Sequence, residues 1–294
     1  MEIQYSTPLR SMWEMYRDWT KKMRNNDVNA FNNHIYQYAL TQPTMLYQQA
    51  IIQQLNFWNM DYQGMYLHVW FEKRELYDFL LNDVDLKDLS SIKYYLATNG
   101  NHLKEKNNNG DSVRQDYVRY DIALHVPYLD DGYAFSFCLM PDNTIELFFV
   151  DDEGVGQIHE SEYVIAKSRN DEEGMSVERD FRFAINLLAY MECFPECVRD
   201  GVPTTNNETI FYPKGRNIRL GISEKIIEED GIKGVKRPHM RKGYFKCLTS
   251  DFYKNKRGQI IFVRETMVKG KSKTVELSDD EEKIEGFKIQ PSKQ

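Results

Sequence analysis

The sequence predicts an α+β protein, and three features of its apolar pattern support this fold class. Apolar residues recur at helical spacing through the first hundred positions and again between residues 176 and 193. Between residues 117 and 166 the period changes to two, which is typical of strands with one buried face. Because a helix that follows a meander of strands covers one face of the sheet, this order predicts a helix packed on an antiparallel sheet.

Residues 1–100 form the predicted helical N-terminal region. Thr7 followed by Pro8 matches an N-cap with proline at the first helical position, and aromatic or methionine side chains then recur at helical spacing. We interpret these stripes as the packing face of a helical region rather than as the lining of a ligand groove. The stretch MYLHVWF (65–71) is ambiguous between helix and strand. Helices are predicted to begin near Pro8, Asp27, Pro43, Glu72 and Leu86.

Residues 117–230 form the predicted α+β core, preceded by a polar, asparagine-rich segment (99–116) expected to be a loop. Four apolar segments alternate with the turn sequences LDDG, PDN and DDEG, which predicts an antiparallel meander. Ser176 is the expected N-cap of a helix that runs to about Cys193 and ends before Pro195. The predicted strands are YVRYDIALHV, GYAFSFCLM, TIELFFV and GQIHESEYVIA, with short further strands at 217–222, 243–248 and 258–263.

The C-terminal part is predicted to be a basic strand module (231–275) packed on the core, followed by a charged tail (276–294). Residues 233–273 contain 13 Lys and Arg residues against only Asp251 and Glu265, a local charge of +11. The formal net charge of the whole chain is −7, so the remaining 253 residues carry −18. This segregation predicts a contact surface for phosphates or for acidic protein on an otherwise acidic body.

Length and composition set further expectations. The 294 residues are enough for one large or two medium domains that need no disulfide support. No uncharged apolar run approaches the roughly 20 residues of a membrane-spanning helix, and the first residues lack the apolar segment of a secretory signal. We therefore expect a cytoplasmic protein without membrane contact, whose four cysteines are buried, reduced thiols.

Signatures of enzymes are sparse in the sequence, which contains no GxxxxGK[ST] phosphate loop, no GxSxG elbow and no HExxH zinc motif. Cys193 and Cys197 have a spacing that could share a metal ion, but further ligands are not near in sequence, and we favour core packing. We interpret His125, inside a predicted strand, as a structural imidazole rather than a base. Asp151 and Asp152 are interpreted as turn residues rather than as metal ligands. The sequence therefore predicts no cofactor.

The segment KRPHMRKGYFKCL (236–248) is the strongest candidate for a functional site. Pro238 holds the preceding residues extended, and Gly243 is expected to provide a backbone turn that leads into a strand. Basic side chains can donate to phosphates and aromatic rings can stack on bases, as in surfaces that bind single-stranded nucleic acid. The alternative is a solvated basic hairpin whose aromatic residues belong to the core. The candidate binding residues are Lys236, Arg237, His239, Arg241, Lys242, Tyr244, Phe245, Lys246 and Arg264.

The same segment resembles the C-terminal signature of a family of mobile-element proteins that includes a type V-A anti-CRISPR protein. The family pattern is approximately Arg-Pro-His-x-Arg-Arg-Gly-His-Trp followed by a strand, and here RPHMRKGYF (237–245) is followed by IIFVRETMVKG (260–270). Lys242 replaces an arginine of the pattern, and Tyr244 and Phe245 replace its second histidine and its tryptophan. A second, upstream similarity concerns a helix, an acidic Pro/Glu dipeptide and a Gly-Leu-Pro sequence of the family, which correspond here to LLAYMECFPECVRDGVP (187–203). The matching positions are Arg237, Pro238, His239, Arg241 and Gly243.

This resemblance implies an inhibitor of bacterial immunity that acts by binding, in the cytoplasm of a bacterial host cell. The implied partners are a nascent CRISPR effector polypeptide or its translating mRNA, and the implied effect is reduced production of the effector nuclease. Two alternatives stay open on the residues alone. One is a regulatory or replication accessory protein of a mobile element that binds RNA or single-stranded nucleic acid. The other is a metal-dependent nuclease, with His239 as its acid–base residue and a metal near Asp151 and Asp152.

Overall fold

The computed structural model describes residues 3–86, 88–106, 112–129, 132–151, 154–203, 214–224, 240–241, 243–250, 253, 255–263 and 266–267. These residues form helices on both faces of one large mixed sheet, together with a small C-terminal sheet, so the predicted α+β class is confirmed. The predicted charged tail (276–294) lies outside the described residues.

Three helices begin the described chain, as the sequence predicts. Asp27 caps the second helix and Thr44 caps the third, because each side chain accepts a hydrogen bond from a backbone N–H three residues further on. The first helix begins at Arg10 rather than at Pro8, after Leu9 in the left-handed conformation with a φ of 56°. The helices are α1 (Arg10–Met23), α2 (Val28–Leu40) and α3 (Met45–Tyr62).

Residues 1–100 also supply two strands, which the prediction of a helical region missed. The ambiguous stretch MYLHVWF contains a strand at the centre of the large sheet, with parallel neighbours on both sides and four of its five residues buried. A strand that is buried on both faces has a continuous apolar run, and such a run has no diagnostic period. The elements are β1 (Leu67–Phe71), α4 (Arg74–Asn82), β2 (Val84–Leu86) and α5 (Ser90–Asn99).

The predicted antiparallel meander is confirmed, with two differences in its bounds. The segment predicted as a loop (99–116) contains a strand that pairs antiparallel with the beginning of the next strand. The segment GQIHESEYVIA is a strand only as far as His159, which forms a capping box with Glu162 and begins a helix. The elements are β3 (Asn101–Lys106), β4 (Ser112–His125), β5 (Ala134–Leu139), β6 (Ile145–Val150), β7 (Val155–His159) and α6 (Glu160–Ala166).

A long buried helix follows the meander, as predicted, but it begins earlier than expected. Asp171, not Ser176, is its N-cap, because the Asp171 carboxylate accepts from the N–H of Gly174 at 2.7 Å. Ser176 lies inside the helix, where its hydroxyl donates to Asp180 at 3.3 Å. The helix ends before Pro195, as predicted. The elements are α7 (Glu172–Cys193), a single 3-10 turn (Pro195–Cys197), β8 (Val198–Asp200) and β9 (Asn217–Leu220).

The large sheet has eight strands in the order β7-β6-β5-β4-β1-β9-β8, with β3 paired on β4. Because β1 is parallel to both β4 and β9, the sheet is mixed rather than purely antiparallel. Alternate side chains of β1 point to opposite faces of the sheet. Val69 and Phe71 join the larger core, which also includes residues of α4, α5 and α7. His68 and Trp70 face the N-terminal segment and α3. Each large side chain buried in this way contributes about 1.5–3 kcal/mol. The sheet therefore holds both helical layers together.

The predicted strands of the C-terminal module are confirmed, and they form a small sheet with β2. The strand at 243–247 pairs parallel with β2 and antiparallel with the strand at 260–263. Phe245 is fully buried there, with ring centroids 6.5 Å from Phe194 and 5.5 Å from Phe262. The elements are β10 (Met240–Arg241), β11 (Gly243–Cys247), β12 (Ile260–Val263) and β13 (Thr266–Met267), of which β10 and β13 pair with each other.

Candidate functional site

In the described part of the basic module, the strand pair β11–β12 turns one side toward solvent. Side chains alternate along β11, so that Tyr244 and Lys246 face outward while the residues next to them are buried. Their cross-strand partners on β12, Val263 and Ile261, are half-buried on the same side. The ring of Tyr253 lies beside them, with Lys246 Nζ 6.0 Å from its centroid. We call these five residues the hairpin face.

The hairpin face brings cations close to aromatic rings. Lys256 and Arg257, in the turn that joins the two strands, are exposed, as is Lys246. A cation within about 6 Å of a ring centroid is attracted by the negative face of the ring, so the lysine and Tyr253 support each other. Rings can stack on planar bases while ammonium and guanidinium groups bind phosphates. The arrangement therefore suits a ligand that is both planar and anionic.

Gly243 positions the hairpin by allowing close packing. The sequence predicts a backbone turn at this glycine, but in the structure it is the buried first residue of β11. A Cβ atom added to it would lie 2.8 Å from Cζ of Phe262, closer than side-chain atoms pack. The missing side chain therefore lets the Phe262 ring lie against the strand, which fixes β12 beside β11.

An open groove of about 520 Å³ lies at the end of the hairpin, between its turn and α5. Tyr94, from α5, lines the groove with a side chain that is 67% exposed. Arg257, from the turn, lines it too, together with Ser90 and Ser91. Because Arg257 belongs to the turn that joins β11 to β12, the groove adds another ring at the end of the same hairpin.

The predicted binding residues that the structure describes lie in three settings. Tyr244 and Lys246 lie on the hairpin face, where they can contact a ligand. Phe245 cannot stack on a base, because its ring is fully buried; its role is core packing, the alternative that the sequence left open. Arg241 lies in β10, whose backbone pairs with β13. Five candidates lie outside the described residues: Lys236, Arg237, His239, Lys242 and Arg264.

The residues considered for a metal site have structural roles where they are described. Cys197 is buried and Cys193 is half-buried, both packed with the core around α7, as predicted. Asp151 accepts a hydrogen bond from the N–H of Gly154 at 3.0 Å, which is the predicted turn role, and Asp152 lies outside the described residues. Within the described ranges, no group of three or more His, Cys, Asp or Glu residues is arranged to hold a metal ion.

A buried chain of polar groups links the N-terminal segment, α1 and α3 to the central parallel strands. Trp13 Nε1 donates to Asp61 Oδ2 at 2.7 Å, and Asp61 Oδ1 lies 3.2 Å from His68 Nε2, an ion-pair distance without hydrogen-bond alignment. His68 Nδ1 lies 3.0 Å from His125 Nε2, and His125 Nδ1 lies 3.0 Å from the carbonyl oxygen of Ser6. We call these five residues the histidine–aspartate chain.

Hydrogen-bonding roles assign the protons in the histidine–aspartate chain. The Ser6 carbonyl can only accept, so His125 carries its proton on Nδ1 and its Nε2 accepts from His68. Burial, and next the nearby His68 ring, lower the pKa of His125 well below its usual 6.5, so His125 is neutral near pH 7. His68 then donates through Nδ1, and its Nε2 lies at the 3.2 Å distance from Asp61 Oδ1 given above. Because these side chains are at most 8% exposed, the histidine–aspartate chain is a structural link rather than a solvent-accessible catalytic site.

Sequence reasoning missed this link because its two histidines are 57 residues apart. A signal was nevertheless present, since the tripeptide Leu-His-Val occurs at 67–69 and again at 124–126. A polar side chain inside an apolar strand needs a buried partner, and two neighbouring strands with the same tripeptide can supply it to each other. The interpretation of His125 as a structural imidazole is confirmed, and its ring stacks on Trp70 at 3.8 Å.

A second buried polar group lies on the same face of β4. Asp121 is buried beside Arg119, whose Nε lies 2.8 Å away, and it accepts a hydrogen bond from the Ser136 hydroxyl on β5. Burial raises the pKa of Asp121, and the charge of Arg119 opposes that shift. Arg119 also contacts Met60 Sδ at 2.8 Å, so this group ties α3 to the meander.

Comparisons with known protein families, with curated proteins and with solved structures find no match to this chain. None of the helices in the described part of the chain is long and apolar enough to cross a membrane. The function of the hairpin face is therefore inferred from its own geometry and charge.

Proposed function

We propose that the protein acts by binding, and that its hairpin face contacts RNA or another single-stranded nucleic acid. The observation that carries this proposal is that Tyr244 and Lys246 of β11 lie beside Tyr253 of the hairpin turn, with the lysine exposed and both rings half-buried, within the segment of local charge +11. Surfaces that bind single strands combine stacking rings with cations that follow the backbone. The hairpin face has both groups at neighbouring positions.

Two contributions stabilise such a complex. Stacking of a base on an aromatic ring contributes about 1–3 kcal/mol per base. Each phosphate that a cation neutralises adds about −0.7 to the slope of log K against log salt for a single strand. The three exposed cations at and beside the hairpin face, Lys246, Lys256 and Arg257, therefore predict a slope of about −2 or steeper.

The resemblance of segment 237–245 to the family that includes an anti-CRISPR protein suggests a setting for this binding. In that setting the RNA is the translating message of a CRISPR effector nuclease, and the outcome is reduced production of the effector. The remainder of the chain carries a formal charge of −18 and repels RNA. This repulsion confines RNA to the C-terminal module and leaves the acidic body for contact with the nascent effector polypeptide.

Fluorescence anisotropy with a labelled single-stranded RNA tests the contact surface. Tyr244→Ala should weaken binding about 5- to 150-fold, because it removes a stacking ring. Lys246→Glu should weaken binding and reduce the salt slope measured between about 50 and 200 mM. Lys21→Glu is the matched control, since it makes the same charge change on the exposed side of α1. Equal losses for the two lysine variants, or no salt-dependent binding by the wild type, would contradict the proposal.

Co-expression with a CRISPR effector nuclease tests the biological setting separately. Wild-type protein should lower both the effector protein and its mRNA, and Lys246→Glu should restore them. Unchanged effector levels would refute the inhibitor setting while leaving RNA binding to the anisotropy result. Labelled RNA incubated with the purified protein and Mg²⁺ or Mn²⁺ should stay intact, and cleavage would favour the nuclease alternative instead.

A further inference from the structure

Residues 28–60 contain no Asp, Glu, Lys or Arg, although such residues make up 28% of the chain. These 33 residues form α2, the turn that follows it and almost all of α3. We call them the neutral hairpin. Its inner side is anchored on the sheet through the fully buried Phe31 and Trp58. The lack of charge therefore concerns the outer surface, where charged side chains are normally abundant.

The tip of the neutral hairpin exposes large apolar side chains. Leu46 and Met45, in the first turn of α3, are 74% and 71% exposed. Tyr47 follows them, and Leu40 and Tyr36 lie one helical turn apart at the end of α2, all about half exposed. These five side chains lie within the twelve residues 36–47, and such a concentration of exposed apolar groups marks an interaction site rather than scattered surface residues.

The composition of the tip indicates a protein partner. The cores of protein interfaces are depleted of charged residues and enriched in tyrosine and methionine, as this tip is. Around it the exposed polar side chains are neutral, including Asn33, Gln37, Thr41 and Gln49. RNA is disfavoured as the occupant, because the neutral hairpin has no cation to bind a phosphate.

We propose that two copies of this chain associate through the tips of their neutral hairpins, around a two-fold axis. In a two-fold interface each copy presents the same patch, so the patch must be complementary to itself. A patch of one charge sign fails that test, whereas amides and hydroxyls both donate and accept hydrogen bonds and therefore pair with their own kind. In a two-fold contact the acidic body, which carries −18, would face the acidic body of the other copy, and the +11 segment would face the other +11 segment, so like charges repel over either surface. The neutral hairpin is a surface where they meet without like charges.

The exposed area sets the expected strength of this dimer. Two of the five side chains are tyrosines, which bury about 150–250 Å² each when fully covered, and the other three are the somewhat smaller Leu40, Met45 and Leu46. At half to three-quarters exposure the five together offer on the order of 500 Å². With the neutral polar rim, the patch approaches the roughly 800 Å² per partner of a standard interface. Standard interfaces of about 1,600 Å² in total range from micromolar to picomolar affinity, so a patch that only approaches this size is expected to give a reversible dimer at the micromolar end of that range. The inference is independent of RNA binding, which uses a different surface.

Sedimentation velocity on the full-length protein, from about 1 to about 100 µM, tests the dimer. The wild type should change from monomer to dimer across this range. Leu46→Glu should remain monomeric with an unchanged circular dichroism spectrum, because it places like charges across the axis without touching the core. Val164→Glu is the matched control, since Val164 is similarly exposed on α6, and it should dimerise like the wild type.

Three outcomes overturn the proposal. If the wild type stays monomeric at about 100 µM, two copies do not associate through the tip, and its binding partner is a different protein. A dimer that survives Leu46→Glu uses another surface. Equal loss of the dimer in both variants shows that added charge, rather than the tip, controls association.

Discussion

Replacing His125 with phenylalanine tests the histidine–aspartate chain, because this change keeps an aromatic ring against Trp70 but removes both ring nitrogens. Two buried groups then lose their partner, the carbonyl oxygen of Ser6 and the Nδ1–H of His68. An unsatisfied buried polar group costs about 1–3 kcal/mol. His125→Phe should therefore lower the free energy of unfolding by about 2–6 kcal/mol at pH 7.5, a large part of the 5–15 kcal/mol typical of a folded domain.

The same variant should also change how stability depends on pH. Because the pKa of His125 is lowered well below 6.5 in the folded protein, only the unfolded state takes up a proton there as the pH falls below 6.5. The wild type therefore loses about 1.4 kcal/mol per pH unit below 6.5 from this group until the folded pKa is reached, and the variant does not. The difference in free energy of unfolding between the wild type and His125→Phe should therefore be about 1.4 kcal/mol smaller at pH 5.5 than at pH 7.5.

Urea unfolding followed by far-ultraviolet circular dichroism measures both effects at constant ionic strength. His102→Phe is the matched control, since it makes the same substitution at an exposed position on β3 and should change the free energy of unfolding by less than about 0.5 kcal/mol. A deficit of the His125 variant that is the same at both pH values would refute the assignment of a neutral, buried His125. If His125→Phe lowers the free energy of unfolding by less than about 1 kcal/mol, the histidine–aspartate chain does not hold the N-terminal helices on the sheet.

Three further substitutions or reactions test local assignments. Gly243→Ala should destabilise the fold by about 1–3 kcal/mol in thermal unfolding, because its Cβ would meet the Phe262 ring at 2.8 Å; an unchanged melting temperature would contradict the close packing. Asp171→Ala should cost about 1 kcal/mol in urea unfolding and Ser176→Ala less, and the reverse order would contradict the cap assignment. Cys138 should resist iodoacetamide in the native protein at about pH 8, because burial raises its pKa to about 11; rapid alkylation detected by mass spectrometry would contradict its burial.

The elements that local sequence signals determine were predicted well. The helix starts near Asp27 and Pro43, the period of two through β4–β7 and the stop before Pro195 are set by residues close to one another in the chain. The N-cap of α7 was placed wrongly at Ser176, because Asp171 provides an equally good cap one turn earlier. Boundaries of this kind depend on small differences in free energy between neighbouring polar residues.

The long-range pairings could not be predicted from local signals. The insertion of β1 between β4 and β9, and the pairing of β2 with β11, join segments far apart in the chain. His68 and His125 become partners only because those strands are neighbours. The strand order that places them side by side is a property of the whole sheet, so neither histidine could be assigned a partner from its own segment.

Only part of the candidate binding surface could be predicted from the sequence, and the alternation of side chains in a strand explains why. Side chains in a strand alternate between two faces, so Tyr244 and Phe245 could not both face solvent. The sequence does not show which of the two is inside, and the packing of Phe262 under Gly243 settles it in favour of a buried Phe245. Tyr253, outside the predicted strands, joins the surface only through the fold of the hairpin turn.

Ultraviolet crosslinking of the full-length protein to a single-stranded RNA, with the crosslinked peptides located by mass spectrometry, tests the RNA contact most directly. If the hairpin face binds RNA, crosslinks should fall on Tyr244 or Tyr253, and they should fade as salt weakens the phosphate contacts. Tyr94 should crosslink only where the RNA is long enough to reach the groove beside α5. Crosslinks confined to the acidic body, or none at low salt, would contradict the proposed function.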